Sequence, residues 1–201
     1  FDEYTANSNP TDSRSRAVQS LLSLKTGFQQ LFYPLENPDI SSAFALLTHL
    51  DSLGVAISEI KALDQQSGIF HTAHIDQQTG TLSGDDFSLT PGQGVYAQIT
   101  ADSTFPISGS VQCRTVDLSA GINIVGFQCI PANYSAFQLL NAIGDQSLVN
   151  SIQKFDRLTG RFETVGYQGN SIVGSDFIIK AGEAYIIYMT NDRAGFDPIL
   201  E

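Results

Sequence analysis

Residues 42–47 read Ser42-Ala43-Phe44-Ala45-Leu46-Leu47, and residues 135–140 read Ser135-Ala136-Phe137-Gln138-Leu139-Leu140. Five of the six positions agree, and the agreement extends outward in both directions. Upstream lie two glycine-led apolar stretches, Gly27 to Pro34 and Gly121 to Pro131. Downstream, Ile60 to Asp64, Gly68 and Phe70 answer Ile152 to Asp156, Gly160 and Phe162. Each copy then closes on Gly-x-Asp-Phe and a later glycine: Gly84, Asp86, Phe87 and Gly92 against Gly174, Asp176, Phe177 and Gly182. Apolar runs follow, Val95 to Ile99 and Tyr185 to Met189. The chain therefore reads as two diverged copies of one unit of roughly 80 residues, a periodicity that outranks local propensity in deciding architecture.

Each unit has a physical reading. The first stretch mixes β-branched and aromatic residues and predicts a strand. Asn37-Pro38-Asp39 and Pro131-Ala132-Asn133 are helix-start signals. Phe44, Leu47 and Leu50, like Phe137, Leu140 and Ile143, recur at a spacing of three, which predicts a short amphipathic helix of about ten residues. Asp64 to Gly68 and Asp156 to Gly160 predict hairpin turns, in which the Asp accepts backbone N–H groups and the Gly supplies positive φ. A glycine turn and a buried strand complete the unit. The expected fold class is α+β: two pseudo-symmetric β-α-β-β-β repeats packed as one compact unit. Residues 1–16 read as a linker, 17–100 as unit one, 101–112 as a join that is a loop or an edge segment, 113–191 as unit two and 192–201 as a tail.

The composition narrows the functions available. The 201 residues suffice for a real core, and 42% hydrophobic content opposes disorder. Ten Lys+Arg against 21 Asp+Glu leave a net charge of −11, the wrong sign for a phosphate backbone or an anionic membrane surface. Such charge suits an exported protein that must stay in solution. No apolar run approaches the roughly 18 residues that span a bilayer. The numbered chain opens on Phe1 and not Met, as expected of a mature product, a proteolytic core or a cloned piece. The only cysteines, Cys113 and Cys129, fit one structural disulfide, with two buried thiols as the alternative.

The first sixteen residues begin Phe1-Asp2-Glu3-Tyr4 and continue through Asn7-Ser8-Asn9-Pro10-Thr11-Asp12-Ser13. This segment resembles the tail of a thrombospondin type 3-like calcium-binding repeat, with Asp2-Glu3 as its acidic pair. Asn7 and Asn9 stand where that family has Gly and Asp. The resemblance implies that Glu3 is the last carboxylate of a calcium loop. It also implies a secreted or surface-displayed bacterial parent protein that uses calcium to stiffen a linker. Calcium takes six to eight oxygens, so Asp2 and Glu3 form half a site at most. A merely polar, acidic linker is the other reading of the same residues.

The remaining chemistry-bearing residues mostly fail an internal control, because they occur in one copy only. Gly92-Gln93-Gly94-Val95-Tyr96-Ala97 fits a dinucleotide fingerprint in letters, but a strand follows it where a helix is required. His71 and His74 are three apart, so a strand points them to opposite faces and they cannot share a metal without a bulge. His49 falls near a helix end, where it faces the dipole. Asp86 and Asp176 read as turn or N-cap residues, with Asp85 unmatched. The absence of Trp weakens a sugar-binding face and leaves Tyr134, Tyr167 and Tyr185 as its candidates.

The expected function is a non-catalytic extracellular module, structural, adhesive or partner-binding, within a larger exported calcium-binding protein. Its partner is a protein or polysaccharide surface, with no catalytic residues and no cofactor beyond calcium. The alternatives are a carbohydrate-binding accessory module of a secreted enzyme and a carboxylate-dependent hydrolase. A row of Tyr or Phe exposed on one face distinguishes the carbohydrate-binding module from the first reading, and the hydrolase requires two or more carboxylates converging in one pocket with shifted pKa values.

Overall fold

The computed structural model describes residues 15–33, 37, 39–65, 67–90 and 92–199, with the backbone alone at 15–20, 108 and 112. Along the chain come β1 (Ser15–Leu24), β2 (Gly27–Leu31), α1 (Ala43–Ser52), β3 (Ile57–Leu63), β4 (Phe70–Asp76), β5 (Thr81–Gly84), β6 (Val95–Ile99) and β7 (Ser103–Gln112). There follow β8 (Val116–Leu118), β9 (Gly121–Val125), α2 (Ala136–Ile143), β10 (Val149–Asp156), β11 (Arg161–Gln168), β12 (Ser171–Gly174), β13 (Tyr185–Met189) and β14 (Arg193–Phe196). The protein is mostly β-sheet, with two five-stranded sheets and two helices among the described residues.

The sheets share one strand order. The first runs β2-β6-β3-β4-β5 and the second β9-β13-β10-β11-β12, every neighbour antiparallel. Their registers also agree. Ile60 pairs with Ala73 and Ala97, as Ile152 pairs with Val165 and Ile187. Both third-in-order strands carry a bulge at the same place, between Ile57 and Glu59 and between Val149 and Ser151. Residues at matching places are called register-equivalent below.

Two expectations need correction. The β-α-β-β-β pattern misses one sheet strand per half, β5 and β12. Each is four residues long and largely exposed, so it carries no alternating apolar signal. Of the two readings of the join 101–112, loop or edge segment, the loop fails: Ser103–Gln112 is strand β7, paired along its whole length with β1. β14 pairs likewise with β8. These two-stranded ribbons close the cores. Leu22, Leu24, Phe105 and Ile107 pack into the first, and Val116, Leu118 and Phe196 into the second.

Serines start the helices, Ser42 three residues after Asp39 and Ser135 two after Asn133. Ser42 Oγ accepts from Ala45 N at 3.3 Å, and Ser135 Oγ from Gln138 N at 3.3 Å. In α2 the Gln138 side chain also accepts from Ser135 N at 2.9 Å, completing a capping box that Ala45 cannot supply in α1. The buried faces are Ala43, Leu46, Leu47 and Leu50, and Ala136, Leu139, Leu140 and Ile143. Phe44 and Phe137 sit at the margin of that stripe. Gly68 and Gly160 close the first hairpins at φ 70° and 68°. The Cys113–Cys129 disulfide, with Cα atoms 5.2 Å apart, ties the β7–β8 connection to the segment after β9. No helix among the described residues is long and apolar enough to cross a membrane.

The halves meet along a seam of reciprocal contacts. Phe32 N donates to Gly182 O at 3.3 Å, and its register-equivalent Gly126 N donates to Gly92 O at 3.0 Å. A Cβ on Gly126 would overlap the Phe32 ring, so a phenyl on one side fits an absent side chain on the other. Gly94 meets Ala184 in the same way, a Cβ there falling 2.6 Å from the alanine methyl. Gln65 Nε2 donates to Asn123 Oδ1 at 2.7 Å, and Arg157, register-equivalent to Gln65, donates to Gln29 Oε1.

Candidate functional site: a seam cleft, its counterpart and an aromatic row

The seam holds a cleft of about 930 Å³. One wall is the end of β3 and its turn, Ala62 to Gln65, together with His71 and Phe87. The other is the disulfide segment Cys113 to Asp117 with Ile124 and Val125. His71 lies between two carboxylates: Nδ1 is 3.1 Å from Asp85 Oδ2, and Nε2 is 3.8 Å from Asp64 Oδ2. Strand alternation sends His74 to the other face, 3.4 Å from Glu59 Oε2. No group of three or more His, Cys, Asp or Glu side chains among the described residues is placed to hold a metal.

A second cavity of about 290 Å³ occupies register-equivalent positions in the other half, lined by Lys154 to Leu158, Glu183, Ala184, Lys25, Gln29 and Gln30. Its size follows from its lining. Where the cleft has Ala62 and Gln93, this cavity has Lys154 and Glu183, paired at 3.2 Å. Lys154 Nζ also stands 5.9 Å from the Phe177 ring centre. Behind them Tyr185, fully buried, takes the place of Val95 and donates to Glu183 Oε2 at 3.0 Å. Burial first, then the Glu183 charge, pushes the Tyr185 phenol far above its ordinary pKa, so it stays a donor.

A row of rings crosses the seam. Phe70, Tyr96, Phe28, Phe155 and Phe162 follow one another at centroid separations of 5.8, 4.8, 6.2 and 5.3 Å. Phe28, Phe70 and Phe162 are 42%, 45% and 46% exposed. Alternation explains their place: Phe28 precedes buried Gln29, and Phe70 lies three residues before buried Ala73, so both point away from the core. The tyrosines singled out from sequence serve the interior. Tyr134 is buried, Tyr167 donates to Gly144 O at 2.8 Å, and Tyr185 is spent on Glu183. The row was legible only as Phe at off-core strand positions, a signal that needs the register first.

Other expected residues fall as follows. Asp86 and Asp176 each accept from a helix N-terminal amide, Phe44 N and Phe137 N, both at 2.9 Å. They cap the helices from a distant segment, whereas the local caps are serines. His49, in the last turn of α1, contacts the Tyr33 hydroxyl at 3.0 Å. Gly92 has φ 83° and forms a turn before β6. Asp2, Glu3 and the calcium-repeat resemblance lie outside the described residues. Among the described residues, the carboxylates with shifted pKa values, Asp76, Asp102, Asp145 and Asp156, stand at strand ends or in turns, lowered by hydrogen bonds from neighbouring side chains and backbone N–H groups. A general acid requires the opposite shift. Comparison with protein-family models, curated proteins and solved structures finds no match.

Proposed function

We propose that this chain is a non-catalytic, partner-binding module of an exported protein, formed by two pseudo-symmetric repeats. The observation that carries the reading is the aromatic row. Half-exposed rings in one continuous line mark an interaction surface, because isolated exposed apolar residues are common and contiguous ones are not. The shared strand order, shared bulge and reciprocal seam support the repeat. The disulfide supports an oxidising compartment outside the cytosol. Calcium belongs to this reading only through Asp2 and Glu3, as the incomplete end of a linker site.

The partner is a protein surface. Neighbouring ring planes along the row are inclined by 47°, 24°, 80° and 61°. A sugar platform presents ring faces to solvent, and here Phe28 and Tyr96 stack on each other. The edges and partial faces left exposed suit side chains that interdigitate. The carbohydrate-binding alternative draws on the same rings. A glycan array with and without calcium, run beside binding to proteins of the same extracellular surface, separates the two. Phe70→Ser and Phe162→Ser are expected to abolish protein binding with little loss of fold, and saturable glycan binding lost in the same variants would sink the protein reading.

A further inference from the structure

The cleft and its counterpart are built on register-equivalent residues, so one half shows what the other lacks. In the second half a lysine of the chain itself fills the space. Lys154, with only 18% of its side chain exposed, has Nζ 3.2 Å from Glu183 Oε2 and 5.9 Å from the Phe177 ring centre. Asp156 stands close by. The Thr159 hydroxyl and the Leu158 amide lower its pKa most, and the Lys154 ammonium lowers it further. The ammonium therefore has two carboxylates and a ring around it, and its alkyl stem is largely out of water.

The first half keeps much of these surroundings and removes the lysine. Ala62, 3% exposed, stands at the place of Lys154, and Gln93 at the place of Glu183. Phe87 answers Phe177 and Asp64 answers Asp156, and all four residues line the cleft. Asp64 has 37% of its side chain exposed. His71 lies directly across from Ala62 on β4, its ring 6.3 Å from that of Phe87, and it brings the Asp85 carboxylate to the same wall. Arg114, the cation on the disulfide wall, is engaged by a partner of its own. A volume of about 930 Å³ is of ligand size. On the wall of Asp64 and Phe87 it is the setting of a lysine without the lysine.

We propose that the cleft takes the side chain of a lysine from a partner protein, its stem over Ala62 and against Phe87 and its ammonium at the Asp64 carboxylate. The choice of a protein as the source of the ammonium rests on the reading drawn from the aromatic row. The ammonium site itself does not, because none of its residues belongs to that row.

The test is a titration of the whole chain followed by backbone 1H–15N shifts at Ala62, His71 and Gln93. The probes are Nα-acetyl-lysine amide, its uncharged analogue Nα-acetyl-norleucine amide, and n-butylamine hydrochloride, at ionic strength held constant with sodium chloride. Saturable shifts with the lysine probe and with butylamine, and none with the norleucine probe, are expected. Saturation by the lysine probe at roughly tenfold lower concentration than butylamine supports the protein source, and the reverse order makes a free alkyl amine the ligand and overturns that source alone. Gln93→Glu should tighten the lysine probe about fivefold, by adding the carboxylate that Glu183 gives Lys154. Ala62→Lys combined with Gln93→Glu should close the cleft with the chain's own lysine and abolish the shifts, with a cooperative urea transition showing a folded chain. Phe70→Ser should leave the titration unchanged even as it removes binding through the row. Shifts that do not saturate, that appear equally with the norleucine probe, or that survive in the folded double variant overturn the site. If the double variant does not fold, Gln93→Glu alone decides, and an unchanged affinity there overturns it.

Discussion

Where the first half places Ala62, Gln65 and Gln93, the second places Lys154, Arg157 and Glu183. The backbone around these positions is paired in the same register, yet one set lines an open cleft of about 930 Å³ and the other a donor-rich cavity of about 290 Å³. The difference teaches where divergence is tolerated. Positions that carry the turns, caps and core stripe are held by backbone geometry and packing density. Positions at the mouth of the seam face water and a neighbour of low packing demand, so size and charge can change there without unfolding either sheet. That is where recognition can be built on an unchanged scaffold.

The seam itself offers the largest test of the comparison. Phe32 is 3% exposed and fills the space left by Gly126. Phe32→Ala should cost about 3–5 kcal/mol in urea unfolding. Gly126→Ala should cost about 1–3 kcal/mol by overlap with the ring. The double variant should be less destabilised than the sum by about 1 kcal/mol or more, as contacting residues couple. Strict additivity would mean that the halves do not meet there.

Next comes the disulfide, present in one half only. Cys113→Ser with Cys129→Ser should cost about 3 kcal/mol, the loop-closure value for this separation. Hydrogen exchange should quicken around β8 and β9 and stay unchanged in β3 and β4. Equal loosening of both sheets would show that the bridge stabilises the seam as a whole.

A smaller contrast sits at the helix starts. Ser135→Ala breaks a capping box and should cost about 1–2 kcal/mol, whereas Ser42→Ala removes a single cap bond and should cost about 0.5–1 kcal/mol by thermal unfolding. The reverse order would show that the distant caps, Asp86 and Asp176, differ more than the local ones.

The smallest effect is expected from acid. Asp102 holds Lys25 and the Thr26 amide at the turn between the first ribbon and its sheet, and these hydrogen bonds lower its pKa from 3.8 to about 2. A pKa depressed by folding gives stability that is present above the unfolded value and lost as pH falls through the folded one. The window is therefore pH 4 down to pH 2. Asp102→Asn should flatten the pH dependence of the urea midpoint there. An unchanged slope would show that Lys25 and Thr26 make no net contribution from this exposed site.

Much of the scaffold was legible because its signals are local. Asp and Gly at a fixed spacing mark the hairpins, Ser-Ala-Phe marks each helix, and an isolated cysteine pair fits one bridge. β5 and β12 escaped because short, exposed strands bury too little to show alternation. β1 and β7 escaped because each is defined by the other across the whole first unit. The aromatic row required register before Phe28, Phe70 and Phe162 could be put on one side. Strand alternation separates His71 from His74, and the structure sets His71 beside Asp64 of the β3–β4 turn and Asp85 just after β5, a grouping only the tertiary fold supplies.

By itself, the sequence determined where the hairpin turns and helices lie and the sign of the net charge. Those properties depend on neighbours a few residues apart, or on totals. Only the tertiary structure decided that the halves interlock through Phe32 and Gly126, and that one cavity stays open while its counterpart fills with Lys154 and Glu183. Those properties arise where residues from different halves meet, and the meeting is set by packing two finished sheets together, which no local pattern encodes.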